Sequence, residues 1–145
     1  MNFFRNLSAA EKEELLKLPV YITLLAANGD GKLDEAEIQS AIKLSHTKTF
    51  SCEPLLKDYY READKVFNTN LRQQDFDLPG GKENREEAIR LELQKLEPVI
   101  QKLGKRYASR IRQSMKAFNE HVSNAHHTVV VDFILPLPIP GLTEK

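Results

Sequence analysis

The sequence predicts a single all-α domain: a bundle of five to seven helices with one long C-terminal helix and an extended apolar tail. Two observations predict this fold class. Apolar residues recur at steps of three and four along most of the chain, and several candidate helix starts carry capping residues. A third observation concerns size, because 145 residues, of which 41% are hydrophobic, suffice for one buried core.

The composition narrows the class of protein. The formal net charge is zero, so no overall field draws the chain to nucleic acid or to a membrane. The single cysteine, Cys52, has no intramolecular disulfide partner, and no apolar run matches a signal peptide or a membrane span. We therefore expect a cytoplasmic protein without a transmembrane segment.

Residues 1–67 form a half that is built of short helices. Ser8 and Glu11 have the spacing of a capping box, and Asp34 and Glu37 repeat this spacing before the third helix. The four predicted helices run from Ser8 to Leu18, from Pro19 to Ala27, from Asp34 to the region of Ser45–Thr49, and from Pro54 to Phe67.

A loop and a long helix are predicted next. Residues 68–82 are polar and end in Leu78-Pro79-Gly80-Gly81, which predicts a loop. Residues 83–125 then carry one apolar stripe at helical spacing, formed by Ile89, Leu93, Leu96, Ile100, Leu103, Tyr107, Ile111, Met115, Phe118, Val122 and Ala125. Because the stripe keeps its phase through Pro98, we expect one long helix kinked there, with a kinked pair of helices, divided by a short break at Glu97–Pro98, as the alternative.

Residues 126–145 form a tail of different character. Val129–Val131 and Phe133–Leu135 are β-branched, aromatic or large apolar residues, and the Pro-Leu-Pro-Ile-Pro-Gly sequence that follows cannot be helical. We expect an extended segment that packs along the helices, either of its own chain or of another, since a free segment of this kind would be a sticky apolar arm.

The acidic turn between the second and third helices is the candidate functional site. When Gly31 is set at position 6 of a calcium EF-hand loop, four ligand positions carry oxygen-bearing side chains: Asn28, Asp30, Asp34 and Glu37. Position 1 is Ala26, whose methyl group cannot coordinate a cation. The turn therefore predicts a weak Ca²⁺ or Mg²⁺ site or a purely structural corner, since its glycines and caps suit both. A second EF-hand frame that would begin at Asp75 is rejected, because Pro79 would stand at ligand position 5 and the residues that flank the frame are polar.

The same segment resembles the signature of the TerB-like family, named for tellurite-resistance proteins. That signature is an alanine-rich helix end, then Asp-Gly, a hydrophobic residue two positions later, and an acidic helix start with a glutamate. The matching residues are Asp30, Gly31, Leu33, Asp34 and Glu37. Ala26 is typical of that family, Gly29 stands where it more often has alanine, and no clear match follows Phe67. The resemblance implies an all-helical, mostly cytoplasmic domain whose acidic residues are suspected metal contacts and whose biochemical role is poorly defined.

A run of basic residues in the C-terminal half is a second candidate site. The six cations, which could contact the phosphates of RNA, DNA or lipid headgroups, are Lys102, Lys105, Arg106, Arg110, Arg112 and Lys116. On a helix they spread over much of the circumference, which also suits a solvated, salt-bridging face. No zinc ligands, aromatic strand motif or helix-turn-helix pattern accompanies them.

The leading functional hypothesis is a non-enzymatic TerB-like module, an interaction or ion-responsive accessory protein whose partner is another protein. One alternative is a phosphate-binding module that uses the basic run for RNA or anionic lipid. The other is a metal-dependent enzyme with a site inside the bundle, formed by carboxylates and His121, although His121 and His126 are not spaced to share a helix face. Catalytic residues are not predicted, because Cys52 has no neighbouring base and no nucleophile motif occurs.

Overall fold

The computed structural model describes residues 3–27 and 33–126, and it confirms the all-α fold class. Every regular element in these two ranges is helical. The elements are α1 (Ala9–Leu15), α2 (Leu18–Ala27), α3 (Glu35–Ser51), a 3-10 turn (Pro54–Leu56), α4 (Lys57–Asp77), α5 (Lys82–Lys102) and α6 (Lys105–His126). No helix among the described residues is both long and apolar enough to cross a membrane.

Helix α2 lies at the centre of the bundle. Its sequence, LPVYITLLAA, is apolar on all sides, and every residue from Leu18 to Ala26 is buried. A helix of this kind has to be surrounded by other elements, and α2 packs against α4, α5 and α6. The hydroxyl of its single threonine, Thr23, donates to the carbonyl of Pro19 at 2.9 Å, so this buried hydroxyl has its partner within the helix.

An aromatic cluster closes one end of the core. The rings of Phe3 and Tyr107 lie 4.8 Å apart, edge to face, and the ring of Phe3 lies 5.4 Å from that of Tyr59. The hydroxyl of Tyr59 donates to the carbonyl of Leu15 at 2.8 Å, at the last residue of α1. The N-terminal residues are therefore part of the core, and burial raises the pKa of Tyr59.

The prediction of a loop over residues 68–82 is wrong for residues 68–77, because α4 continues to Asp77. The polar composition of residues 68–77 concealed a buried row at steps of four, formed by Phe67, Leu71 and Asp75. Only Leu78–Gly81 connects α4 to α5, and Gly81 adopts a φ of +90°, which favours glycine.

The single long helix predicted over residues 83–125 is also wrong, because this region contains a pair of helices, which was the alternative. The break between them does not lie at the predicted position, Glu97–Pro98. Helix α5 runs through Pro98 and ends at Lys102, and α6 begins at Lys105. Gly104 makes the break: its φ is +94°, and its N–H donates to the carbonyl of Gln101 at 3.2 Å. The apolar stripe kept its phase because Leu103, which is buried, occupies the connection itself.

Other boundaries differ by smaller amounts. Helix α3 extends to Ser51, beyond the predicted end near Ser45–Thr49, and the predicted fourth helix begins as a 3-10 turn at Pro54. Two sequence predictions lie outside the described residues: the tail from residue 127 onward, and the tip of the acidic turn, residues 28–32.

Candidate functional site

The exit of the acidic turn is closed by a reciprocal capping box. The backbone N–H of Asp34 donates to Oε1 of Glu37 at 2.8 Å, and the N–H of Glu37 donates to Oδ1 of Asp34 at 2.7 Å. This arrangement satisfies backbone donors at the start of α3, as the D-x-x-E spacing predicts. Asn28 and Asp30, the other two predicted cation ligands, lie outside the described residues, so only Asp34 and Glu37 are seen together.

A buried carboxylate from α4 holds the same corner. Both oxygens of Asp75 accept the backbone N–H of Leu33, at 3.1 and 3.3 Å. Oδ1 of Asp75 also accepts from Nη2 of Arg85 on α5 at 2.7 Å. The two side chains of this ion pair are only 8% and 4% exposed. The residue that follows the acidic turn is therefore tied to two neighbouring helices through Asp75.

Sequence reasoning missed this network, although a signal for it is present. Asp75 lies four residues after Leu71, and Arg85 lies four residues before Ile89, so each charged residue continues an apolar row of its own helix. One acidic and one basic residue in such positions, on helices joined by a short loop, indicate a buried pair.

A second ion pair ties the start of α3 to α4 at the surface. Nη1 and Nη2 of Arg72 donate to the two carboxylate oxygens of Glu35 at 3.1 and 2.9 Å, and the side chain of Gln39 donates at 2.8 Å. The hydrogen bonds from Arg72, and then that from Gln39, lower the pKa of Glu35 to about 2. The start of α3 is thus tied to α4 by this surface ion pair as well as by the buried carboxylate of Asp75.

The chemistry of the corner suits a structural role. Asp34 and Glu37 each use one carboxylate oxygen in the capping box, and both lie at the positive end of the α3 dipole, which disfavours a cation. Within the described residues, no three histidine, cysteine, aspartate or glutamate side chains are close enough to hold a metal ion. His121 lies in the last turns of α6, and the enzyme hypothesis built on it stays a prediction.

The basic run is divided among several neighbours. Lys102 pairs with Glu11 of α1, Arg110 donates to Glu53 at 2.9 Å, and Arg112 donates to Glu97 through two bonds of 2.6 Å. The remaining three cations are exposed and make no ion pair with the described part of the chain: Lys105, Arg106 and Lys116. Half of the predicted phosphate-binding residues therefore make ion pairs with other elements of the chain.

The outer side of α5 carries an apolar surface that the periodic pattern did not include. Leu91 lies off the buried stripe of Ile89, Leu93 and Leu96, and 48% of it is exposed. It borders a small surface pocket, which we call the α5 outer surface, lined by Ala88, Leu91, Glu92, Gln94 and Lys95. Among the described residues only Leu91 and Phe76 are large hydrophobic residues with this degree of exposure. Most such side chains in this part of the molecule are buried.

Comparison of the chain with protein-family models, with curated proteins and with solved structures found no match.

Proposed function

We propose that this chain is a non-enzymatic helical interaction module that binds an apolar segment of a partner protein at the α5 outer surface. The observation that carries the proposal is the position of Leu91, whose side chain points away from the core stripe of its own helix and stays half exposed. Ala88 and the aliphatic parts of Glu92 and Lys95 extend the apolar area around it.

The charges around this surface are neutralised locally. Lys95 pairs with Glu92 at 3.2 Å, and Arg90 pairs with Glu87 at 3.0 Å, each one turn apart on α5. An incoming segment therefore meets no net charge and gains little from charges of its own. Large aliphatic or aromatic side chains that cover Leu91 are the chemistry that would recognise this surface, and burial of an exposed leucine contributes about 1.5–3 kcal/mol at most.

The acidic corner has a supporting part in this proposal. Its capping box and the hydrogen bonds that the N–H of Leu33 donates to Asp75 fix the start of α3 through protein groups alone. This arrangement fits an accessory module of TerB-like type in which the Asp-Gly turn is a structural corner. Cation binding by Asn28, Asp30, Asp34 and Glu37 is the competing role of the same residues, and substitutions of Asp34 separate the two.

The test is selection from a random peptide library displayed on phage, with the full chain as bait. Two variants serve as counter-baits: Leu91→Asp, which places a charge in the surface, and Ala36→Asp, which places the same charge on the exposed side of α3. We expect enriched peptides with two or more large apolar residues that bind the parent and Ala36→Asp but not Leu91→Asp. Peptides that bind all three baits equally, or no enrichment at all, would contradict the proposal.

A further inference from the structure

We infer that the partner at the α5 outer surface is a second copy of this chain, and that the two α5 helices pack antiparallel around a twofold axis through Leu91. The inference rests on the proposed function, because it names the partner at the same surface. It is supported by the order of the charges on α5 and by the exposure of one face of this helix.

The charges of α5 are arranged antisymmetrically about Leu91. Glu87 stands four positions before it, and Lys95 stands four positions after it. Arg90 stands one position before it, and Glu92 stands one position after it. Each of these four charges therefore has the opposite charge at the same distance on the other side of Leu91.

A twofold axis through Leu91 converts this order into attraction between two copies. Such an axis reverses the second helix, so a residue that precedes Leu91 faces the residue that follows it by the same number of positions in the other copy. Glu87 then faces Lys95 of the second copy, and symmetry makes this contact twice. A parallel arrangement would place Glu87 against Glu87. The order of the charges therefore favours the antiparallel pair.

The two charges lie at the borders of the contact. Positions four apart on a helix differ by about 40° in direction, so Glu87 and Lys95 flank Leu91 on opposite sides. Their side chains are 58% and 72% exposed, and each already pairs with a neighbour on its own helix, Arg90 and Glu92 respectively. Exposed ion pairs add little affinity, but like charges in the same places oppose association, so these residues fix direction and register.

The face between these charges is uncharged. Asn84, Gln94 and Pro98 are exposed like Leu91, and Ala88 is half-buried. From Asn84 to Pro98 the face extends for about 21 Å along the helix. At its centre Leu91 packs against Leu91 of the second copy, which removes an exposed leucine from water in each chain. A contact of one helix face per copy is small, so the dimer should be weak and in equilibrium with the monomer.

Self-pairing and the binding of another segment exclude each other, because both cover Leu91. A selected peptide that binds at this surface should therefore dissociate the dimer. In turn, its apparent affinity should fall as the concentration of the chain rises, since fewer molecules then have a free surface.

The test is sedimentation equilibrium of the full chain at low salt, from micromolar to millimolar concentration. We expect a reversible monomer–dimer equilibrium for the parent. Leu91→Asp should weaken dimerisation by about tenfold or more, because two carboxylates would meet on the axis. Ala36→Asp places the same charge on the exposed side of α3 and should leave dimerisation unchanged. Far-UV circular dichroism checks that each variant keeps its helices.

Charge reversal tests the antiparallel register. Glu87→Lys and Lys95→Glu, each made alone, place like charges against each other and should weaken dimerisation several-fold. An equimolar mixture of these two variants restores opposite charges at both positions and should dimerise as well as the parent. The double variant Glu87→Lys/Lys95→Glu should also recover. These differences should shrink at high salt, because the charges are exposed.

Three results would overturn the inference: a parent that stays monomeric at millimolar concentration, dimerisation that ignores Leu91→Asp or the single charge reversals, or a mixture that associates no better than either variant alone. The peptide selection separates this inference from the proposed function. If Leu91-dependent peptides are found but the parent stays monomeric, the function stands and self-pairing fails. If the dimer has the expected properties but no peptide is selected, self-pairing stands and the binding of another protein's segment fails.

Discussion

Asp75 and Arg85 form an ion pair of 2.7 Å between α4 and α5 that is almost completely withdrawn from water. The same carboxylate accepts the N–H of Leu33 with both oxygens. One buried side chain thus joins α4, α5 and the residue that leaves the acidic turn. Breaking such a pair on one side leaves an uncompensated buried charge, which is far more costly than the pair is favourable.

Asp75→Ala is therefore expected to lower the free energy of unfolding by about 3–5 kcal/mol, because Arg85 and the N–H of Leu33 both lose their acceptor. Urea unfolding followed by circular dichroism measures this change. Asp77→Asn is the matched control: it lies on the same helix two residues on, is exposed, and should change stability by no more than about 0.5 kcal/mol. A loss below about 1 kcal/mol for Asp75→Ala would show that the pair is not buried in solution.

Two substitutions of Asp34 separate the structural role of the acidic turn from cation binding. Asp34→Ala should cost about 1 kcal/mol, because the N–H of Glu37 loses its cap. Asp34→Asn should cost little, since asparagine caps as well as aspartate but lacks the charge that a hard cation prefers. Thermal unfolding with millimolar Ca²⁺ or Mg²⁺, and with a chelator, is expected to give the same midpoint in the parent. Stabilisation of the parent by either ion that Asp34→Asn abolishes would establish a cation site instead.

The ion pair of Glu35 and Arg72 predicts that the stability of the fold depends on pH in the acidic range. The pKa of Glu35 falls from 4.5 to about 2 on folding, so its contribution to stability is present above about pH 4.5 and is lost as the pH falls towards 2. Carboxyl-carbon NMR of the native protein should show this low pKa, and Arg72→Gln should move it back up. Arg61→Gln, which removes an exposed pair with Asp58, should leave it unchanged. A Glu35 pKa that ignores Arg72→Gln would contradict the pairing.

Arg112 is expected to act in folding and not in phosphate binding. Arg112→Gln should cost about 2–3 kcal/mol, because Glu97 loses two charge-assisted bonds in a half-buried setting. Arg106→Gln, an exposed site on the same helix, should be neutral within about 0.5 kcal/mol. Retention on RNA or anionic vesicles at low salt is the second readout. Loss of such retention in Arg112→Gln with unchanged stability would favour the phosphate-binding hypothesis.

Pro98 and Gly104 should respond in opposite directions to alanine. Pro98→Ala restores an N–H for the carbonyl of Gln94 inside α5, and we expect a gain of about 2 kcal/mol after the flexibility added to the unfolded chain is counted. Gly104→Ala should cost about 1–2 kcal/mol, because a φ of +94° is unfavourable for a residue with a Cβ. Both changes are read from denaturant midpoints. A destabilising Pro98→Ala would mean that the proline sets the course of α5.

Local patterns predicted part of this molecule well. The two capping boxes, Ser8 with Glu11 and Asp34 with Glu37, follow from spacing alone because a cap involves only neighbouring residues. The all-α fold class follows from periodicity for the same reason. The start of α3 was therefore predictable down to individual hydrogen bonds.

Non-local relationships were not predictable in the same way. The polar residues after Phe67 resembled a loop because the partner that makes Asp75 a core residue, Arg85, lies on another helix. The break at Gly104 was hidden because the buried Leu103 preserved the apolar spacing across it. The exposed position of Leu91 became visible only when the neighbours of α5 were known. In each case the missing information was the identity of a partner distant in sequence.

The burial of α2 on every side has a consequence for the dynamics of the molecule. A helix with no solvent-facing residue from Leu18 to Ala26 cannot fray or detach while the surrounding helices stay in place. Its amide protons should therefore exchange with deuterium only when the whole chain opens, and their protection should equal the global free energy of unfolding. The exposed start of α3 and the exposed ends of α5 should exchange much earlier, so one isotope-exchange experiment would separate the cooperative centre of the protein from its periphery.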